Sequence, residues 1–119
     1  MKILVVDDEE LLVKGIRFNL QNEGYEVITG SNGQEAVLLT RNESPDLVIL
    51  DIMMPEMDGL SMVREIKSDA NTSHIPIVIL SAKASMDDRI EGLKLGVNDY
   101  ITKPFSATYL KQRMANIIS

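Results

Sequence analysis

Four places in the chain set a residue suited to phosphate chemistry at the end of a short apolar run. Ile3-Leu4-Val5-Val6 leads into Asp7-Asp8, Leu47-Val48-Ile49-Leu50 into Asp51, Ile77-Val78-Ile79-Leu80 into Ser81, and Tyr100-Ile101-Thr102 into Lys103. Each has an ordinary explanation when taken alone. An Asp after a strand commonly caps the next helix, Ser81 alone is unspecific, and Lys103 before Pro104 fits a surface turn. Two neighbouring acids exceed what one cap requires, and an isolated carboxylate such as Asp51 closing an apolar run is costly to bury. In an open parallel α/β sheet, ligands bind beyond the carboxyl ends of the strands. If the four runs are parallel strands, three carboxylates, a hydroxyl and an ammonium meet in one crevice.

The elements needed to position these groups follow from the spacing of apolar residues. After the first run, Leu11, Leu12, Ile16 and Leu20 recur at helical spacing, and Gly24 ends that helix. Tyr25 to Thr29 reads as a second strand. Ser31 with Gln34 forms a capping box ahead of a helix carrying Ala36, Leu38 and Leu39. Pro55 and Asp58-Gly59 make a loop before a helix with Leu60, Val63 and Ile66. A polar stretch from Ser68 to His74 precedes the fourth strand. Ser85 with Asp88 then opens a helix bearing Ile90, Leu93 and Leu95, with Gly96 as its stop. A fifth strand spans Asp99 to Thr102, and Ser106 begins a last helix bearing Leu110, Met114 and Ile117 or Ile118. Five strands alternating with five helices predict an α/β fold, a doubly wound five-stranded parallel sheet covered on both faces. The unbroken Val, Ile and Leu runs of strands one, three and four fit strands buried on both sides.

Composition narrows the function classes. The 119 residues suffice for one domain, 1–119, with one real core. The chain has no cysteine, which excludes disulfides and thiolate metal sites. No apolar run approaches the roughly 18 residues of a spanning helix, and no signal-peptide core follows Met1-Lys2. A cytoplasmic location without membrane association is the expectation. The net charge of −6 argues against direct nucleic-acid binding, which needs a Lys/Arg excess. Met53, Met54 and Met57 read as gap-filling packing, and His74 as a polar-loop residue without a catalytic role.

Taken together, four segments resemble the receiver domain of two-component response regulators. They are Ile3-Leu-Val-Val-Asp-Asp-Glu-Glu10, Pro45-Asp-Leu-Val-Ile-Leu-Asp-Ile-Met-Met-Pro-Glu-Met-Asp-Gly59, Ile79-Leu-Ser-Ala82 and Asp99-Tyr-Ile-Thr-Lys-Pro-Phe105. The likeness covers essentially the whole chain in order and spacing. It implies a flavodoxin-like sheet of order 2-1-3-4-5 and a cis Lys103-Pro104 bond. It also implies that Asp51 accepts a phosphoryl group from the phosphohistidine of a histidine kinase in a Mg2+-dependent reaction. Asp8, Asp51 and the backbone carbonyl of Met53 would ligate the metal, with Asp7 acting largely through a bound water. Lys103 would place positive charge on the phosphoryl oxygens, and Ser81 would donate its hydroxyl. Ser81 stands where the family more commonly has Thr, which keeps the hydroxyl and loses a methyl. Ala82 is small enough to leave the phosphoryl group room.

The same resemblance implies a switch in which Ser81 moves toward the phosphoryl group and Tyr100 turns inward. The surface of the fourth helix, fifth strand and fifth helix then changes shape toward an output domain or downstream protein. Receivers with winged-helix outputs often dimerise there through charge pairs. Arg89, Asp99 and Arg113 match part of that pattern, but Tyr109 stands where an acid would face Arg89, and Lys94 and Ala115 break a further pair. A monomer or weak homodimer is the expectation. The chain's end, Ser106 to Ile118, resembles receivers embedded in hybrid sensor kinases with an AraC-type output, which suggests excision from a larger protein. No separate substrate turnover is expected of a phosphoacceptor.

Other readings remain open on the residues alone. A haloacid-dehalogenase-like phosphatase needs a general acid two residues past its nucleophile; counted from Asp7 that is Glu9, and Asp51 is left without a role. A flavin or nucleotide module wants a Gly- or Ser/Thr-rich loop after the first strand, where this chain has Asp-Asp-Glu-Glu. A degenerate receiver used only for docking would lack one of the chemical positions, and all are filled.

Overall fold

The computed structural model describes residues 1–51, 59–81 and 93–118, with backbone alone at 59 and 60. Five strands, β1 (Lys2–Val6), β2 (Glu26–Gly30), β3 (Leu47–Asp51), β4 (Ile77–Ser81) and β5 (Asp99–Thr102), form one sheet of order β2-β1-β3-β4-β5. Every neighbouring pair is parallel. Four helices lie among the described residues: α1 (Glu10–Asn22), α2 (Gly33–Glu43), α3 (Gly59–Ser68) and α4 (Ala107–Ile118). The helix expected from Ser85 onward falls mainly on residues 82–92, outside the described ones. Its end is visible, where Gly96 turns out with a φ of 95° and donates to the Leu93 carbonyl.

Successive strand residues face opposite sides of a sheet, and this splits the core in two. Leu4, Val6, Val48, Leu50, Ile77 and Ile79 pack with Ala36 and Val37 of α2 and Met62, Val63 and Ile66 of α3. Ile3, Val5, Leu47, Ile49, Val78 and Leu80 pack with Ile16 and Leu20 of α1 and Leu110 and Met114 of α4. Fully burying one such aliphatic side chain contributes about 1.5–3 kcal/mol. The three central strands are buried almost throughout, so they hold the carboxyl edge of the sheet in place.

Local details differ from the sequence reading at several points. Leu11 and Leu38 face solvent, 85% and 57% exposed, while Leu12 and Leu39 pack against the core. Strand β2 starts one residue later than expected, because the Tyr25 N–H still closes the end of α1 on the Leu20 carbonyl. The capping box is shifted by one residue. Asn32, not Ser31, caps α2 by accepting the Glu35 N–H, and Glu35 reaches back to the Ser31 N–H and hydroxyl. Ser106 does cap α4 as expected, its Oγ accepting the Tyr109 N–H at 3.0 Å.

Candidate functional site

Strand register sets the site. Val6 lies opposite Leu50, which leaves Asp7 and Asp51 as the next residues on adjacent strands. Leu80 lies opposite Asp51, so Ser81 leaves the sheet one step further along the neighbouring strand. The ladder continues past β5 through the Lys103 N–H, which donates to the Ser81 carbonyl at 2.8 Å. That bond holds the Lys103 backbone at the same edge, and the Lys103-Pro104 bond is cis, as the resemblance implied.

The side chains converge there. Lys103 Nζ lies 2.8 Å from Asp7 Oδ2, 3.2 Å from Asp51 Oδ2 and 3.4 Å from Glu9 Oε1. The Asp7, Asp51 and Lys103 side chains are 0%, 3% and 13% exposed, whereas Glu9 is 61% exposed. Burial works against the ammonium charge of Lys103. The hydrogen bond from Lys103 to Asp7 and the charges of Asp51 and Asp7 outweigh it, so its pKa is raised. Asp7 Oδ1 also accepts the Glu9 N–H at 3.0 Å, so both oxygens of this buried carboxylate are engaged. Asp8 is exposed and brings a carboxylate oxygen within 4.8 Å of those of Asp7 and Asp51.

Three hard carboxylate oxygens this close, without a Cys or His among them, suit an oxygen-preferring divalent cation such as Mg2+. Asp8, exposed and next to the buried pair, is the most accessible of the three. The Met53 carbonyl and Ala82 lie outside the described residues. Ser81 is fully buried at the end of β4, and Tyr100 is buried in the α2/α3-side core with Ile79 and Val97. Asp51 at the centre of the crevice counts against a phosphatase reading that leaves it idle. His74 is exposed in the loop before β4, away from these strand ends.

Sequence reading missed Glu9 as a partner of Lys103. In the sequence Glu9 stands out only as an acid two residues past Asp7, and nothing in the spacing says that Lys103 lies beside it. It also missed that Asp99 and Arg113 pair within one chain. Arg113 Nε donates to Asp99 Oδ2 and Nη2 to Oδ1, the latter at 2.6 Å, and the guanidinium sits 5.6 Å from the Tyr109 ring centre. Arg89 lies outside the described residues.

Residues 3–115 match the family described as the response regulator receiver domain. Among curated proteins, the chain is 45% identical over 117 residues to "Probable transcriptional regulator ycf27" of Pyropia yezoensis, covering 98% of this chain and 47% of that protein. It is 43% identical to the alkaline phosphatase synthesis transcriptional regulatory protein PhoP of Bacillus subtilis (strain 168), covering 98% and 48%. Among solved structures, the receiver domain of the Francisella response regulator 1452 superimposes with a TM-score of 0.88 at 36% identity, covering 98% of this chain and 94% of that one. The chain spans about half the length of the curated relatives it matches.

Proposed function

The chain belongs to the response regulator receiver family, and from that premise we propose that Asp51 is its phosphoacceptor, with residues 1–119 forming one receiver domain. Receivers serve as phosphoacceptors in two-component signal transduction and are not enzymes in the ordinary sense. The observation that supports Asp51 most is its position: buried at a strand end, bonded to Lys103, and with a carboxylate oxygen within 4.8 Å of those of Asp7 and Asp8. A carboxylate oxygen of Asp51 attacks the phosphorus of the donor, forming an acyl phosphate as the bond to the donor's leaving group breaks. In the physiological reaction that leaving group is the imidazole of a kinase phosphohistidine. Attacking and transferred groups are both anionic, so the reaction needs positive charge at the site.

Mg2+, when bound, would neutralise that repulsion and polarise the phosphoryl group. By the family resemblance Asp8 and Asp51 would hold it directly, with Asp7 through water; that both Asp7 oxygens already accept hydrogen bonds is in keeping with the indirect role. Lys103 neutralises the buried carboxylates before transfer and would bond the phosphoryl oxygens after it. Ser81, at the neighbouring strand end, would donate its hydroxyl to the same group. Tyr100 and Ser81 would carry the change toward the outer surface of β5 and α4, where an output domain or downstream protein reads it. A location in the cytoplasm fits a kinase partner; no described helix is long and apolar enough to cross a membrane.

Incubation with acetyl phosphate and Mg2+ tests the assignment. One phosphoryl group should be added, detected by intact mass, and Asp51→Asn should abolish it. A phosphoryl group found on Ser, Thr or His instead would overturn the assignment, as would unchanged uptake after metal chelation.

A further inference from the structure

The Lys103 ammonium has three N–H donors, and three carboxylates take them: Asp7, Asp51 and Glu9. Two of these acids are buried at strand ends and belong to the phosphoacceptor site. Glu9 does not. It occupies the N-cap position of α1 with an extended backbone, yet its side chain makes no capping hydrogen bond. Its N–H is held by Asp7 Oδ1, and its carboxylate turns to Lys103. Asp7 thus grips both the Glu9 backbone and the Lys103 ammonium, and Glu9 closes the ring.

We propose that Glu9 is a positioning residue that orients the Lys103 ammonium toward Asp51, a role that rests on Asp51 being the phosphoacceptor. An ammonium on a flexible four-carbon stem rotates freely unless its donors are fixed. With one donor on Asp7 and a second on Glu9, the tetrahedral geometry directs the third at Asp51. Once Asp51 is phosphorylated, that same donor faces the transferred phosphoryl oxygens without any need for Lys103 to release its other two partners. Without Glu9 the ammonium keeps its charge, its burial and its bonds to Asp7 and Asp51, but loses one of its three anchors and is held less firmly in direction. Glu9 and Lys103 both line a groove of about 380 Å³ with Leu12, Pro104 and Phe105, so this contact lies on a face open to solvent.

The competing physical role for Glu9 is plain charge repulsion of an anionic donor, and the two roles have opposite signs. Initial rates of phosphorylation by acetyl phosphate with Mg2+ are measured for the unmodified chain, Glu9→Ala and Glu9→Gln. Glu9→Ala should slow transfer about two- to five-fold, the size of a partly exposed ion pair expressed as a rate. Glu9→Gln, which keeps an accepting oxygen at the same reach, should recover most of that loss. A second readout needs neither metal nor phosphoryl group: the 15Nζ order parameter of Lys103 by NMR should fall in Glu9→Ala and be largely kept in Glu9→Gln. Equal acceleration in both variants, or an unchanged order parameter in Glu9→Ala, would overturn the proposal. Phosphorylation persisting in Asp51→Asn would overturn the reading beneath it, leaving the order parameter to decide whether Glu9 orients Lys103.

Discussion

Two cations flank the ends of β5, and they live in opposite circumstances. Among the described residues Arg113 pairs with one acid, Asp99, at the start of the strand, and its planar fork matches that carboxylate with two bonds. Its side chain is 41% exposed and lies near the Tyr109 ring. Lys103, just past the strand's other end, is nearly buried and bonds to three acids, with Asp8 adding a fourth carboxylate to the crevice. The first arrangement balances its charges and fastens α4 to the edge strand. The second gathers four carboxylates around one ammonium and is short of positive charge. A one-to-one pair holds structure together; two buried and two exposed carboxylates around one lysine leave a cluster that could hold a metal ion.

The largest effect should come from removing that lysine. Lys103→Ala leaves Asp7 and Asp51 buried without their shared cation, and losing one partner of a buried pair costs about 3–5 kcal/mol. Urea unfolding in chelator should show this loss, and saturating Mg2+ should restore part of it. A loss below about 1 kcal/mol in chelator would make the crevice energetically no different from the edge pair. The pH dependence has a definite sign. Pairing raises the Lys103 pKa, so its contribution is complete below the ordinary lysine range and disappears as pH rises through the raised value. The stability gap between the unmodified chain and Lys103→Ala should therefore stay constant from pH 7 to about 10 and narrow only above that.

Next in size is Asp8→Ala. It removes an exposed carboxylate from a like-charged cluster, so metal-free stability should hold or rise by up to about 1 kcal/mol. Mg2+ affinity by calorimetry should weaken about tenfold or more, which corresponds to about 1.4 kcal/mol. Marked destabilisation without metal would mean that the cluster is structural.

Smaller again is Arg113→Ala. The pair it breaks is partly exposed, so the cost should be about 1 kcal/mol or less and should shrink in high salt. Mg2+ affinity should not change. The smallest effect concerns self-association. Because Asp99 and Arg113 satisfy each other within one chain, neither is available to a second copy without first giving up a bidentate bond. Sedimentation at micromolar concentration should find a monomer or weak dimer, with beryllofluoride strengthening association only modestly. A tight dimer without the phosphate mimic would show that the edge pair opens readily.

The strand ends and their chemistry were readable from sequence for a simple reason. Unbroken runs of Val, Ile and Leu have no stable place except between two layers, and the polar residue ending each run must then emerge at the sheet's edge. Asp7, Asp51 and Ser81 were placed by that constraint, Lys103 by the shorter run Tyr100-Ile101-Thr102 before it, and the sheet's order by resemblance to known receivers. The finer choices were not decidable locally. Leu11 and Leu12, or Leu38 and Leu39, are about 100° apart around a helix, and where the sheet lies decides that the second of each pair packs on the core while the first faces solvent. Ser31 and Asn32 could each cap α2, and the path of the chain leaving β2 selected Asn32. Glu9 meets Lys103, and Asp99 meets Arg113, across 94 and 14 residues of chain respectively. Such contacts depend on the three-dimensional arrangement of elements, because charge pairing reads distance in space and carries no periodic trace along the sequence.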